Sequence, residues 1–399
     1  MRIPLAIRRP ATATTIAAVS FCTSMYFYLP VMVLYLQGRG LTLFQINTLQ
    51  GVLLAAQFVA EVPTGVLADR LGRKRALLAA LLLQLLGEAL FIVAQGFWFF
   101  VLIQIIAGVG FAFASGTVEA LVYDSLPEDG REGAMKRVMG RISGAGRIGN
   151  LLAFLASGAL LAEPTMARFT LAIVLTVAAV GMGCLLALLV REPARNAEHS
   201  RPSSLMLLRD GVATLRRNPQ LRRLVLLAML SDPFGFYLIV LYQPYFVQAG
   251  VAVGWFGPAL AVGSLLAAVA DRYAYAFEER LGMRWGLLLA TALPGVIYLL
   301  MAPVRAPLVA VALFCVQVAT MNASRPLLRA YINGHVASEH RATVLSLIQL
   351  ATSVYLVLIG LLLGFVADRS LPALFALMGA LVLVGALLLR VDEAQSAKR

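Results

Sequence analysis

The sequence predicts an all-α membrane protein of twelve transmembrane helices arranged as two six-helix bundles. Three observations predict it. First, 60% of the 399 residues are hydrophobic and only 13% are charged, with a mean hydropathy of +0.85. A soluble chain carries roughly a quarter charged residues, so this one lacks the charge to cover a water-facing surface. Second, the apolar residues fall in runs long enough to cross hydrocarbon, which takes about 20 residues. Third, the basic residues favour alternate connections between those runs, as expected of loops kept on one side of a membrane.

The runs lie at 12–36, 44–68, 75–95, 97–122, 137–162, 168–190, 222–247, 254–273, 285–303, 306–332, 341–366 and 372–390. The first follows Arg2, Arg8 and Arg9 without a small-residue cleavage site, and is read as a retained span. The longest polar interruption, Arg191 to Arg223, holds Pro193, Pro202 and Pro219 and separates the spans six and six. The expected organisation is an N-terminal bundle at 1–190, a cytoplasmic central loop at 191–221 and a C-terminal bundle at 222–399. Within the loop, Leu205 to Arg217 reads as a short amphipathic helix, leucines toward lipid and arginines toward headgroups.

The 33 Lys and Arg against 20 Asp and Glu leave a net charge of +13. About 25 of the basic residues fall in one alternate set of loops and the termini. Arg39, Arg168, Arg305 and Arg369 fall in the opposite set, and Arg141, Arg147, Arg325 and Arg329 lie inside spans. This asymmetry places both termini in the cytoplasm of a bacterial inner membrane and explains the charge through lipid contact, without a nucleic-acid partner. Cys22, Cys184 and Cys315 sit in apolar runs, and His199, His335 and His340 form no ligand spacing, so no metal or cofactor is expected. No phosphate-binding glycine loop with Lys-Ser/Thr occurs, which argues against ATP-driven transport. The expected protein is a monomeric carrier of a small molecule and not an enzyme.

The halves repeat one another. Ala68-Asp69-Arg70 ends the second span and Ala270-Asp271-Arg272 the eighth. Leu71-Gly72-Arg73-Lys74 returns as Leu281-Gly282-Met283-Arg284 after an insertion of eight residues. Tyr123 and Tyr331 end the fourth and tenth spans, each ten residues before the pair that opens the next (Gly133-Ala134, Arg341-Ala342). Duplication of a six-span unit is the habit of parallel-repeat transporters.

The run Gly65-Val66-Leu67-Ala68-Asp69-Arg70-Leu71-Gly72-Arg73-Lys74-Arg75 resembles the signature loop of the major facilitator superfamily, G-x-L-a-D-r-x-G-r followed by two basic residues. It stands where that family carries it, between spans two and three. The resemblance implies a rocking two-bundle fold and a conformational gate formed by Gly65, Asp69, Arg70, Gly72, Arg73 and Lys74, with Asp69 latching the cytoplasmic side in the outward-open state. The sequence also resembles the drug/proton antiporter branch, with departures. Gln104 stands four residues before Gly108 where the family often has Arg. The fifth-span antiporter pattern survives only as Gly140, Gly144 and Gly149, with Ala145 and Ile148 at its proline and one glycine position.

Ionisable groups within spans mark candidate chemistry, because each is costly unless it faces a cavity or a partner. Glu119 is one turn before Tyr123 on the fourth span, so the two share a face. Glu61 precedes Pro63 on the second. Arg147 is roughly 15 Å into the fifth span at 1.5 Å per residue, too deep to reach the surface. Proton coupling is assigned to Glu119, Glu61, Arg147 and Asp232, with Arg147 as pairing charge; a static ion pair that fixes helix register is the alternative. Asp232-Pro233-Phe234-Gly235 is expected to interrupt the seventh span as a hinge. Substrate contacts are assigned to Tyr26, Tyr237, Tyr123 and Arg325; tyrosines nearer the span ends equally suit an interfacial belt. Glu88 reads as a helix-interface residue. The leading expectation is proton-coupled efflux of small amphiphilic compounds by alternating access. The alternative is uptake or uniport of an anionic or zwitterionic metabolite or lipid, and a third reading is a transporter-like receptor without flux.

Overall fold

The computed structural model describes residues 12–126, 130–192, 219–334 and 338–389. Every regular element in them is helical: α1 Thr12–Thr23, a 3₁₀ turn at Leu29–Val31, α2 Met32–Gly38, α3 Leu43–Leu71, α4 Arg73–Val93, α5 Phe97–Ala114, α6 Thr117–Asp124, α7 Arg131–Leu160 and α8 Met166–Ala187. There follow α9 Pro219–Gln248, a 3₁₀ turn at Val253–Trp255, α10 Phe256–Met301, α11 Pro307–Gly334, α12 Ser338–Ala367 and α13 Leu371–Leu388. In hydrocarbon each backbone N–H and C=O must find its partner within the protein, and the helix satisfies them inside one segment. Among the described residues, eight helices are long and apolar enough to span a bilayer, and shorter apolar helices cover 12–23, 29–38, 285–301 and 307–322. With α7 they account for twelve spans, and the fold is an all-α, multi-spanning membrane fold. The expected amphipathic helix at Leu205 to Arg217 lies outside the described residues.

The chain divides into two compact packing units, Met1–Leu29 with Val52–Glu198, and Pro30–Gly51 with His199–Arg399. In the first, α1 packs on α7 and α8, and α4 on α5 and α8. Small residues bring these helices close. A Cβ on Gly146 would stand 2.8 Å from Ser20 Oγ, one on Gly149 would strike the Phe21 carbonyl, and one on Gly108 would stand 2.7 Å from Ala56 Cβ. Without a solvent-driven hydrophobic force between helices in lipid, such backbone approach is what holds a bundle together. Gly140 and Gly144 meet nothing within 4 Å, so in the fifth span the close contact falls to Gly146 and Gly149.

In the second unit, α10 packs on α11 and α13, and α9 on α11, α12 and α13. Its centre is aromatic: Tyr242 stacks on Phe314 at 4.6 Å, and Phe246 meets Phe256 and Phe314 edge-on at 5.3 and 5.2 Å. The segment 30–51 packs here too. Tyr242 Oη donates to the Pro30 carbonyl at 2.9 Å, and the Val33 N–H donates to Gln243 Oε1 at 2.8 Å.

Three departures from the expected spans matter. The seventh span is not interrupted at Asp232-Pro233-Phe234-Gly235: α9 runs through Pro233 and Pro244 as one helix, since a proline removes a single N–H and its neighbours keep theirs. The connection expected between spans eight and nine is helical up to Gly282, the one non-helical residue of α10 (φ 75°, ψ 161°). Conversely the first and fourth spans, read as continuous, are broken.

Candidate functional site

The first span stops as helix at Thr23 and resumes as the 3₁₀ turn at Leu29. Irregular backbone at membrane depth survives only where protein or a water-filled cavity satisfies it. Here Ser24 N–H and Met25 N–H bond back to Ser20 and Cys22 carbonyls at 3.1 Å each. The Phe27 N–H donates to Thr176 Oγ1 of α8 at 3.0 Å. The fourth span breaks between α5 and α6 at Ser115 and Gly116, the latter left-handed at φ 70°, a conformation glycine adopts without steric cost. Spans one and four occupy equivalent places in the three-plus-three inverted repeats of transporters with six-span halves, and broken helices in such places surround their binding sites.

Side chains around the first break form a compact polar group. Gln84 Nε2 of α4 donates to Tyr26 Oη at 2.7 Å and to the Thr23 carbonyl at 3.3 Å. One turn on, Glu88 is hydrogen-bonded to Tyr28, while its Oε2 is buried without a hydrogen-bond partner. The Tyr28 ring stacks on Phe91 at 5.1 Å, and Phe91 meets Phe100 edge-on at 5.3 Å. No cluster of His, Cys, Asp and Glu able to hold a metal occurs among the described residues.

Of the sequence-predicted residues, Tyr26 belongs to this group. Glu61 of α3, Glu119 in the first turn of α6 and Arg147 of α7 are exposed. Among the described residues no ion pair joins them: the pairs found there are Arg73–Asp69 at 3.0 Å and Arg168–Glu163 at 2.7 Å. Tyr123 lies under the Arg131 guanidinium, 4.8 Å from its ring centre. Tyr237 is fully buried and its hydroxyl donates to the Leu356 carbonyl of α12 at 2.8 Å, which makes it a tie between helices. The side chains of Asp232 and Arg325 lie outside the described residues. Glu88, expected at a helix interface, belongs to this polar group; its signal in the sequence is Gln84 and Glu88, four apart and so on one face of a helix otherwise apolar from Ala76 to Val93.

The signature loop is held by the sixth span. Gly72 takes φ 98° and ψ 154°, a region open to glycine alone, and a Cβ there would stand 2.7 Å from Glu192 Oε1. The Lys74 N–H at the start of α4 donates to Glu192 Oε2 at 3.0 Å, and Lys74 Nζ donates to the Leu188 carbonyl at 2.7 Å. Asp69 pairs with Arg73 on the surface, Arg70 is exposed and Gly65 is half-buried.

The sequence profile described as the Major Facilitator Superfamily matches residues 14–277. No curated protein sequence matches the chain. Among solved structures, a bacterial homologue of the human lysosomal transporter Spinster, inward-facing and unoccupied, is 15% identical, with a TM-score of 0.71 over 97% of this chain and 100% of that one. The nucleoside transporter NupG is 12% identical, with a TM-score of 0.77 over 95% of this chain and 98% of its own. A POT family transporter in complex with 5-aminolevulinic acid is 14% identical, with a TM-score of 0.74 over 95% of each chain. At these identities the likeness is one of fold.

Proposed function

Since the chain belongs to the major facilitator superfamily, we propose that it takes up a small polar solute, zwitterionic or anionic, by alternating access coupled to proton entry across a bacterial inner membrane. The chain is a multi-pass secondary-active transporter of a small solute and not an enzyme. The observation that carries the substrate class is the exposure of charges of both signs, Glu61, Glu119 and Arg147, within membrane spans and outside ion pairs among the described residues. A charge facing acyl chains costs several kcal/mol, so such residues face a water-filled path. There they would meet the ammonium and carboxylate of a zwitterion, beside the breaks in spans one and four. Solved structures of similar fold are named for a nucleoside and for 5-aminolevulinic acid, both small polar solutes. The signature loop would act as the conformational gate, with both termini in the cytoplasm.

Outward transport of amphiphilic compounds is the second reading, favoured by Gly149, the part of the antiporter pattern that packs on the Phe21 backbone. Proteoliposomes with an inside-alkaline gradient, loaded in turn with labelled amino acids, nucleosides, short peptides and hydrophobic cations, decide between them. Accumulation of a zwitterion or anion, with KM raised at least about tenfold in Glu119→Gln or Arg147→Gln, supports uptake. Movement of hydrophobic cations alone, toward the acidic side, overturns it.

A further inference from the structure

We propose that Glu88 is the residue that binds the coupling proton, holding it between α4 and the broken first span; this rests on the proton-coupled reading above. The geometry selects a proton over other occupants. An ionised carboxylate has about four acceptor sites, and here one hydroxyl, that of Tyr28, reaches it while Oε2 is enclosed without a partner. A buried carboxylate so poorly bonded costs several kcal/mol. The neutral acid needs far less, since its charge is gone. A metal cation would require about six oxygen ligands; Tyr26 Oη is engaged by Gln84 at 2.7 Å, and among the described residues no cluster of His, Cys, Asp and Glu could hold a metal.

The polar groups beside Glu88 come from the broken first span and from its own helix. The broken first span contributes the Tyr26 and Tyr28 hydroxyls, and α4 itself contributes Gln84. Around them, Phe100 of α5 packs edge-on against Phe91, and Thr176 of α8 accepts the Phe27 N–H. Helix α6 also packs on α4, but its Glu119 is exposed. Among the described residues no Lys, Arg or His pairs with the carboxyl.

The position also gives the proton leverage. The irregular stretch 24–28 hangs from α4 and α8 by three ties, Gln84 to Tyr26, Phe27 to Thr176 and Tyr28 to Glu88, and Gln84 also holds the Thr23 carbonyl just before it. One residue beyond Tyr28 the chain passes from one packing unit to the other, at Leu29 and Pro30. Loss of the proton places a charge in that enclosure, and the stretch must move or admit water to accommodate it. Protonation at Glu88 is thereby linked to the conformation of the segment that joins the units.

The test uses the full chain in proteoliposomes and two assays with a transported solute from the panel above. Counterflow exchanges solute without net proton movement; accumulation under an imposed pH gradient requires coupling. Glu88→Gln keeps counterflow within about twofold of wild type and loses gradient-driven accumulation at least tenfold, while Glu88→Asp retains both. A wild type that ignores the gradient refutes proton coupling itself. A coupled wild type with an equally coupled Glu88→Gln refutes Glu88 alone. Should Glu88→Gln not exchange solute, Tyr28→Phe, which keeps the carboxyl and removes its donor, displaces the pH profile of uptake by about one unit, the worth of one hydrogen bond. An unmoved profile overturns the assignment.

Discussion

Asp368, just beyond the end of α12, offers a prediction whose size follows from geometry. Its Oδ1 accepts the Leu43 N–H at 2.7 Å and its Oδ2 the Phe44 N–H at 3.1 Å, two donors that open α3 and have no partner within the helix. The backbones are close enough to aim it: a Cβ on Gly364 would stand 2.9 Å from Phe44 Cα and 3.0 Å from Asn47 Cβ. Replacing a capping carboxylate by Ala costs about 1 kcal/mol, and loss of its charge at a helix N-terminus about 0.3–1 kcal/mol more. Asp368 is exposed, so solvent screening keeps the sum near ~1–2 kcal/mol. For a unit of this size that corresponds to a melting temperature lower by about 2–8 °C. Asp368→Ala is expected to show this shift in thermal unfolding of the detergent-solubilised protein, and Asp368→Asn, which keeps an acceptor oxygen, less than half of it. An Asp368→Ala protein that melts with wild type refutes the cap. Equal losses in the two variants refute the argument that acceptor geometry, and not charge, carries most of the effect.

Three further outcomes follow from close contacts. Gly72→Ala forces a side chain into φ 98° and against Glu192, which costs at least about 1–2 kcal/mol and lowers thermal stability more than Glu192→Gln does. Gly149→Val drives a branched side chain into the Phe21 backbone and separates α1 from α7; loss of folded protein on size-exclusion chromatography is expected, whereas Gly144→Ala, in open space, leaves the elution profile unchanged. Tyr237→Phe loses one hydrogen bond to Leu356, about 1 kcal/mol in thermal unfolding, and leaves KM for the transported solute at its wild-type value; a KM shift above about threefold would restore Tyr237 as a substrate contact.

The spans were legible because lipid imposes one demand on every residue of a crossing segment, and a run of apolar side chains records it directly. The breaks were not. Ser24 to Tyr28 and Ser115-Gly116 carry residues that suit a helix in hydrocarbon nearly as well as an irregular stretch, and hydropathy measures transfer, not hydrogen-bond pattern. What allows the first break is a set of partners remote in sequence, Thr176 and Gln84. The same distance hides the proposed role of Glu88. Glu119 stands out in the sequence because Tyr123 is its neighbour on one helix face, yet in the structure Tyr123 lies under Arg131. Glu88 is defined by Tyr28, which only folding brings to it. Asp232-Pro233-Phe234-Gly235 is the opposite case, since a proline and a glycine in a span need not break it when flanking carbonyls have partners, as Phe234 has in the Tyr298 hydroxyl at 3.1 Å.

The repeat shows where the two halves still share a rule and where they have parted. Gly72 and Gly282, matched by sequence, both take positive φ with extended ψ, 98° and 154° against 75° and 161°. A conformation open only to glycine, kept at matched positions between spans two and three and between eight and nine, points to one backbone solution inherited twice. The broken spans have no such echo: the seventh span, counterpart of the first, is a continuous helix. Its tyrosines are spent on packing, with Tyr237, Tyr242 and Tyr245 at most 1% exposed. Packed aromatics leave little freedom to rearrange around a solute, whereas the stretch 24–28 hangs on a few hydrogen bonds to α4 and α8. On the proposed reading, the chemistry of recognition and coupling would belong to the half that carries the breaks, and variants around Gln84 and Glu88 should alter transport where equally conservative variants around Phe314 and Tyr242 alter only stability.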